Sequence, residues 1–412
     1  MQNYMTLYKA ELRKILSKRA VWIMFVIGMV FFGTVELSNL LFEKYNYDDE
    51  VVTGAEFEAL QREKGESITG RVMDDSFYSD VRKDIIQYKE EHEEAAEKYS
   101  EKNMEEYPWI WYCVDRTGHE WLFNKEIRSL GGLKYLRVFM EGTAEEIQAA
   151  KKTRLVSTMN DDGITEGEQA YWLEKYNKAE EGFKYSFAEG YGIFYDSLMF
   201  MTCFVLLVIV VGVAGVFADE SIFRTDVIIL SSKKGRKDIC HAKLLAGCTF
   251  SILMMILIET LCLMIPLFAW GSAGWNTPIQ NVIIGAAYDM TIGQAVIMTY
   301  GLSILAALLC GLFTMFLSYA FKNTLPVMAL QASLSILAFI NIPYKLGLIS
   351  KLWNLRPTGV LRGAGFAEYR LFSAPGGYLN CFEMASLVYV VLGVILVVMT
   401  LNGYRRMQVT GR

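Results

Sequence analysis

Apolar residues in this chain gather into six long runs, and one long polar block separates the first run from the second. The runs are 20–42, 191–218, 244–270, 295–321, 324–342 and 382–402. A helix needs roughly 20 such residues to cross about 30 Å of hydrocarbon, so six transmembrane helices are expected. The first run is too long for a signal-peptide core and lacks a small-x-small cleavage site, so it is expected to remain as an anchor. Ahead of it, Met5, Tyr8, Leu12 and Ile15 recur at helical spacing, while Lys9, Arg13, Lys14 and Lys18 occupy other faces. Residues 1–19 therefore read as an amphipathic helix lying in the headgroup layer, with Trp22 next to it.

The polar block, 43–190, is long enough for a domain of its own. It holds 20 Lys/Arg against 34 Asp/Glu, a net of -14. Phe77, Val81, Ile85, Tyr88, His92, Ala95 and Tyr99 form a helical seam, and Thr143-x-x-Glu146 and Thr165-x-x-Glu168 look like capping boxes. Gly131-Gly132 and Asp161-Asp162-Gly163 punctuate between helices. No run alternates as a strand would, so the block is expected to be mainly helical.

Between the second and third runs, 219–243 carries Arg224, Lys233, Lys234, Arg236, Lys237 and Lys243 against Asp219, Glu220, Asp226 and Asp238. Lys and Arg are retained on the cytoplasmic side, so this connector and the basic N-terminus face the cell interior and the 43–190 block lies outside. Residues 271–294 are then external, with Trp270 and Trp275 as interface anchors, and Arg405-Arg406 places the 403–412 tail inside. The awkward segment is 343–380. It must be external if there are six spans, yet it holds Lys345, Lys351, Arg356, Arg362 and Arg370 against Glu368. One or two short helices, re-entrant or lying on the outer surface, are expected there. The fold class is thus an all-α membrane protein with six spans, an N-terminal interface helix and a helical extracellular domain.

Composition refines this picture. Hydrophobic residues make up 53% of the 412 and charged residues 21%, a mixture of segregated blocks. Seven cysteines and three histidines (His92, His119 and His241) show no disulfide framework or metal-ligand spacing. No G-x-x-x-x-G-K-[ST], H-E-x-x-H or G-x-S-x-G occurs, so no cofactor is expected on this chain and the energy for any work would come from elsewhere. Ser303, Ala307 and Gly311 stack small residues on one span, a helix-packing signal.

Acids near the membrane are the unusual residues. Glu36 and Glu259 fall about 24–26 Å along their helices from the inner boundary, and Asp196 and Glu383 open two spans at the outer edge. An acid in lipid faces a cavity or a partner. Either they bond neighbouring helices, or they form an acidic outer vestibule for cationic cargo. The outer block's large aromatics, Trp109, Trp111, Trp121 and Trp172 among them, either fill a small helical core or make a gripping surface for peptide or lipid.

Together, the basic amphipathic N-terminus, six spans, charged second connector and broken outer helices before the last span resemble the ABC-2 type transporter permease. In that family the second connector holds a coupling helix, read as an acid, a basic run, an Arg and a closing Lys. Glu220, Arg224, Arg236 and Lys243 look like those positions. The family's Gly after the acid and the small-Pro-Ser before the Arg are replaced here by Phe223 and Ser231-Ser232-Lys233-Lys234-Gly235. The large outer insert resembles subgroups that export, or defend against, peptide antibiotics. The resemblance implies a bacterial plasma-membrane exporter without a catalytic site of its own. It also implies a second permease copy or paralogue, and an ABC ATPase subunit on the 219–243 loop. Ile228, Ile229 and Leu230 would be the apolar plug there, with Arg224 and Arg236 as polar anchors. A membrane-anchored sensor whose outer domain binds a peptide is the competing class, and co-purification with an ATPase rather than a kinase would separate the two. A lipid or cell-wall enzyme lacks any paired-carboxylate or Ser/His constellation, and nothing points to nucleic acid.

Overall fold

The computed structural model describes residues 2–47, 50–101, 106–180, 183–225, 235–337, 339–340, 342–343 and 346–405. The N-terminal helix α1 is Gln2–Leu16, and α2 is Arg19–Glu36. A short helix α3, Ser38–Phe42, follows a break at Leu37, so the first apolar run is not the single 20–42 helix expected. A hairpin of β1 (Lys44–Tyr47) and β2 (Glu50–Thr53) comes next. This corrects the expectation of no strands, which four-residue arms are too short to announce by alternation.

The polar block is otherwise helical: α4 (Gly54–Ser67), α5 (Asp75–Glu91), α6 (Glu93–Lys98), α7 (Ile110–Arg116), α8 (Glu120–Leu130), α9 (Leu136–Glu141), α10 (Ala144–Asp161) and α11 (Glu166–Glu180). The seam from Phe77 to Tyr99 breaks at His92, where the backbone leaves helical angles. Thr143 and Glu146 cap α10 reciprocally, and Thr165 and Glu168 do the same ahead of α11. Phe77, Tyr78, Val81, Ile85, Phe123 and Phe139 form this block's own core, apart from that of the apolar helices.

The apolar bundle is built from α12 (Glu189–Val213), α13 (Gly215–Ile222), α14 (Cys240–Trp270), α15 (Ile292–Phe321), α16 (Thr324–Leu337) and α19 (Cys381–Arg405); α17 is Leu348–Asn354 and α18 is Pro357–Val360. Among the described residues, five helical stretches are long and apolar enough to cross a membrane: Arg19–Glu36, Glu189–Ile222, Lys237–Trp270, Ile292–Phe321 and Cys381–Arg405. Glu189–Ile222 lies at the centre, 72% buried against 22% for the first and last. Helix α16 has only 14 residues, about 21 Å of rise, because it ends at Leu337 and not at 342. Close approach is specified by glycine: a Cβ on Gly212 would stand 2.2 Å from the Phe250 ring, and one on Gly311 would stand 2.3 Å from Ser251 Oγ.

The awkward basic segment is a connected cap on the bundle. It contains α17, α18, a 3-10 turn (Gly363–Ala367) and a hairpin of β3 (Phe372–Ala374) and β4 (Gly377–Leu379). Its cations are largely engaged. Lys351 Nζ lies 3.2 Å from Glu168 of the polar block, Arg370 grips Glu368 through two bonds of 2.6 and 2.7 Å, and Arg356 donates to the Trp353 carbonyl. That pairing explains a basic excess that charge bias alone makes anomalous.

Candidate functional site

The densest ionic arrangement among the apolar helices surrounds Lys243, in the first turn of α14. Its ammonium is fully buried and contacts Glu11 Oε2 at 2.9 Å, Glu220 Oε1 at 3.0 Å and the Val216 carbonyl at 2.9 Å. Tyr404, near the end of α19, donates to Glu220 Oε2 at 3.3 Å and packs its ring 5.4 Å from Phe217. Beside this cluster Lys18 donates to the Gly212 carbonyl and sits 3.9 Å from Asp219. Asp219 also accepts from Thr324, the first residue of α16. Ser318 of α15 accepts from the amides of Phe217 and Ala218, just past the junction of α12 and α13. One end of the bundle is therefore tied together by charge. Burial lowers the pKa of Lys18, opposed by the nearby carboxylate of Asp219.

The residues of this cluster sit where local folding puts them. Glu11 is the one acid in a helix of cations, and it falls between Tyr8 and Ile15 on the face turned to α14, where Tyr8 bonds Thr249. Lys243 extends from a buried helix start, so its long side chain has no route to water and needs both carboxylates. An ammonium held by two acids from different helices fixes the relative positions of α1, α13 and α14.

The family model described as ABC-2 family transporter protein matches residues 5–358. The chain belongs to this family. It is a multi-pass membrane protein of the ABC-2 permease class, and the earlier resemblance holds. No curated protein and no solved structure matches it.

In this ABC-2 permease the expected coupling residues are only partly grouped. Glu220 and Lys243 meet, whereas Arg224 projects from the chain just beyond α13, exposed and with a left-handed φ of 55°. Ile228, Ile229 and Leu230 lie outside the described residues, as does the side chain of Arg236, whose backbone belongs to the π-helical turn Gly235–Ile239. Beside Arg224, Ile222 and Phe223 are also exposed, by 51% and 74%, and add apolar surface there. Sequence reasoning missed Glu11, Lys18 and Tyr404. The clue to Glu11 was its place on the apolar stripe; Lys18 and Tyr404 gave none, being ordinary residues at helix ends.

The four acids of the expected vestibule do not converge. Glu36 accepts from Ser197 of α12 at 3.0 Å, and Glu259 accepts from Ser303 of α15 at 3.0 Å; both are buried between helices. Glu383 accepts from the Asn380 amide and closes the start of α19. Asp196 is exposed and lines a cavity of about 250 Å³ with Arg128 and Glu58. Glu36 and Glu259 thus bond neighbouring helices through one oxygen each, while the Oε2 of both is buried without a hydrogen-bond partner.

The tryptophans likewise separate. Trp172 is fully buried, donates to the Tyr369 carbonyl at 2.6 Å and stands edge-on to Tyr288, docking α11 against the bundle. That corrects its assignment to a gripping surface: an indole in such a contact is inaccessible. Trp111 packs edge-on to Phe123, Trp121 leans on Tyr185 and Phe187, and Trp109 packs on Tyr107. These three are half-buried and join the core that the polar block makes for itself.

Proposed function

We propose that this chain is the permease subunit of an ATP-driven exporter of amphipathic, peptide- or antibiotic-like molecules in a bacterial plasma membrane. A separate ABC ATPase, holding ATP and Mg, would act on the 219–243 segment, and a second permease copy or paralogue would complete the pathway. In this reading both termini are cytoplasmic, the 43–190 block is extracellular, and α16 is the fifth of six crossings, a short one. The supporting observation is the buried Lys243 cluster, which links the helices leaving and re-entering the membrane on either side of that segment. A force applied to the loop between Glu220 and Lys243 would shift α1, α13 and α14 together, and only a partner that grips two states unequally can drive such a shift.

The experiment has two arms. Affinity-purified full-length chain is assayed for a co-purifying ATPase with ATP turnover, and a cysteine replacing Arg224 in a cysteine-free background is probed in intact cells with an impermeant maleimide. ATPase recovery with no labelling until the cells are opened supports the reading. Labelling from outside removes it.

A further inference from the structure

At the end of the bundle opposite Lys243, a cleft of about 390 Å³ lies between the polar block and the segments that join the apolar helices. It inverts the charge of its surroundings. Arg128 of α8, Arg154 of α10 and Arg362, just before the 3-10 turn, all line it, together with Lys125 and Lys151. Asp162 and Glu180 are the acids on its walls. A block of net charge -14 has thus concentrated cations in one place.

These cations are not equivalent. Lys151 is neutralised by Glu126 at 2.8 Å, and the buried Lys125 donates to Asn281 at 2.9 Å. The three guanidinium groups are different. None of Arg128, Arg154 and Arg362 makes a salt bridge among the described residues; Arg128 and Arg154 are exposed at the cleft mouth, while Arg362 Nε is buried without a hydrogen-bond partner. Lys351 and Arg370 of the same segment are ion-paired, whereas Arg362 has no such partner among the described residues. Gln280, 8% exposed, points the same way: its amide nitrogen donates to the Tyr288 carbonyl while its Oε1 is buried and unpartnered. Burial raises the pKa of Asp162 and Glu180, and Glu180 also feels Lys151 and Lys125. Buried donors and acceptors without partners are costly unless something fills the space.

We infer that this cleft is a binding site for a phosphate-type oxyanion, its charge taken by Arg128, Arg154 and Arg362. Guanidinium forks match tetrahedral oxyanions through paired N–H donors, which an ammonium cannot do. A hydroxyl or amine carried next to the anion would donate to Gln280 Oε1. The volume exceeds that of a phosphate group alone, and Leu155, Ile284, Ala286 and Ala364 supply an apolar wall for whatever bears it. The same chemistry could arrive on a lipid headgroup or on a soluble molecule. The site does not depend on an ATPase partner.

The test uses the full-length chain in a neutral detergent, with no ATPase and no nucleotide. One arm titrates pyrophosphate by calorimetry; the other measures retention of phosphatidylglycerol against phosphatidylcholine by native mass spectrometry. The variants are Arg128→Gln/Arg154→Gln, Arg362→Gln and, as a control outside the cleft on the same helix as Arg154, Lys152→Gln. Binding in either arm is expected to weaken about ten-fold in the first two variants and to be unchanged in Lys152→Gln, with melting temperatures matching the wild type. Phosphatidylglycerol retention alone assigns the headgroup source, and pyrophosphate binding alone assigns a soluble anion. Binding in neither arm, or equal binding by all variants, overturns the site.

Discussion

Replacing Lys243 by Met tests the cluster most directly. The methionine side chain keeps most of the volume but removes the charge, leaving Glu220 and Glu11 facing each other. Glu220 is the sensitive one: its side chain is 5% exposed, against 17% for Glu11, which can turn toward water. Removing one partner of a buried ion pair costs about 3–5 kcal/mol, mostly from the charge left behind. With an unfolding entropy of about 2.1 cal/mol/K per residue, that loss spread over the whole 412-residue chain lowers Tm by roughly 3–6 °C. If the penalty is the orphaned carboxylate, Lys243→Met/Glu220→Gln must recover part of it, since Gln can still accept from Tyr404 and carries no charge. The assay is thermal unfolding of purified full-length protein in one detergent, followed by intrinsic fluorescence. A single variant melting with the wild type, or a double variant melting below the single one, refutes the reasoning.

Gly212→Ala should be poorly tolerated, because its Cβ would stand 2.2 Å from the ring of a fully buried Phe250; a loss of about 1–3 kcal/mol, read as a lower melting point, is expected, and restoration by Gly212→Ala/Phe250→Leu would confirm the cause. Thr143→Ala should cost about 1 kcal/mol, since it removes one half of a reciprocal cap; Thr143→Ser should melt close to the wild type. Stability of the polar block should fall as pH rises. Burial, with Glu120 nearby, pushes the carboxyls of Glu58 and Asp115 up to about 7, so between about pH 4.5 and 7 the folded state holds more protons than the unfolded one. A higher Tm at pH 5 than at pH 8, flattened by Glu58→Gln/Asp115→Asn, is the expected result, and an equal pH dependence in that variant would refute it.

How much was legible in the order of residues differs between the two halves of the molecule. The positions of the apolar runs, the capping boxes of α10 and α11 and the helical character of 43–190 follow from local rules, because hydrogen bonding within a helix and burial in lipid act over a few consecutive residues. The amphipathic stripe of α1 was equally readable, save that Met5 is 52% exposed. Helix ends were less so: the break at Leu37 and the stop at Leu337 fall inside uniformly apolar sequence that carries no boundary signal.

Pairing was decided elsewhere. Lys243 finds Glu11 across 232 positions, Trp172 finds Tyr369 across 197, and the acids Glu36 and Glu259 take hydroxyls from helices that composition cannot place beside them. A charge read along the chain has only its neighbours for company, whereas in the folded bundle its partner is whatever helix packs against it. For that reason the class of this protein, its apolar helices and its polar block can be read from the order of residues alone. Which charges are satisfied follows instead from which helices pack together, and that packing leaves Arg128, Arg154 and Arg362 around one cleft without an ion pair among the described residues.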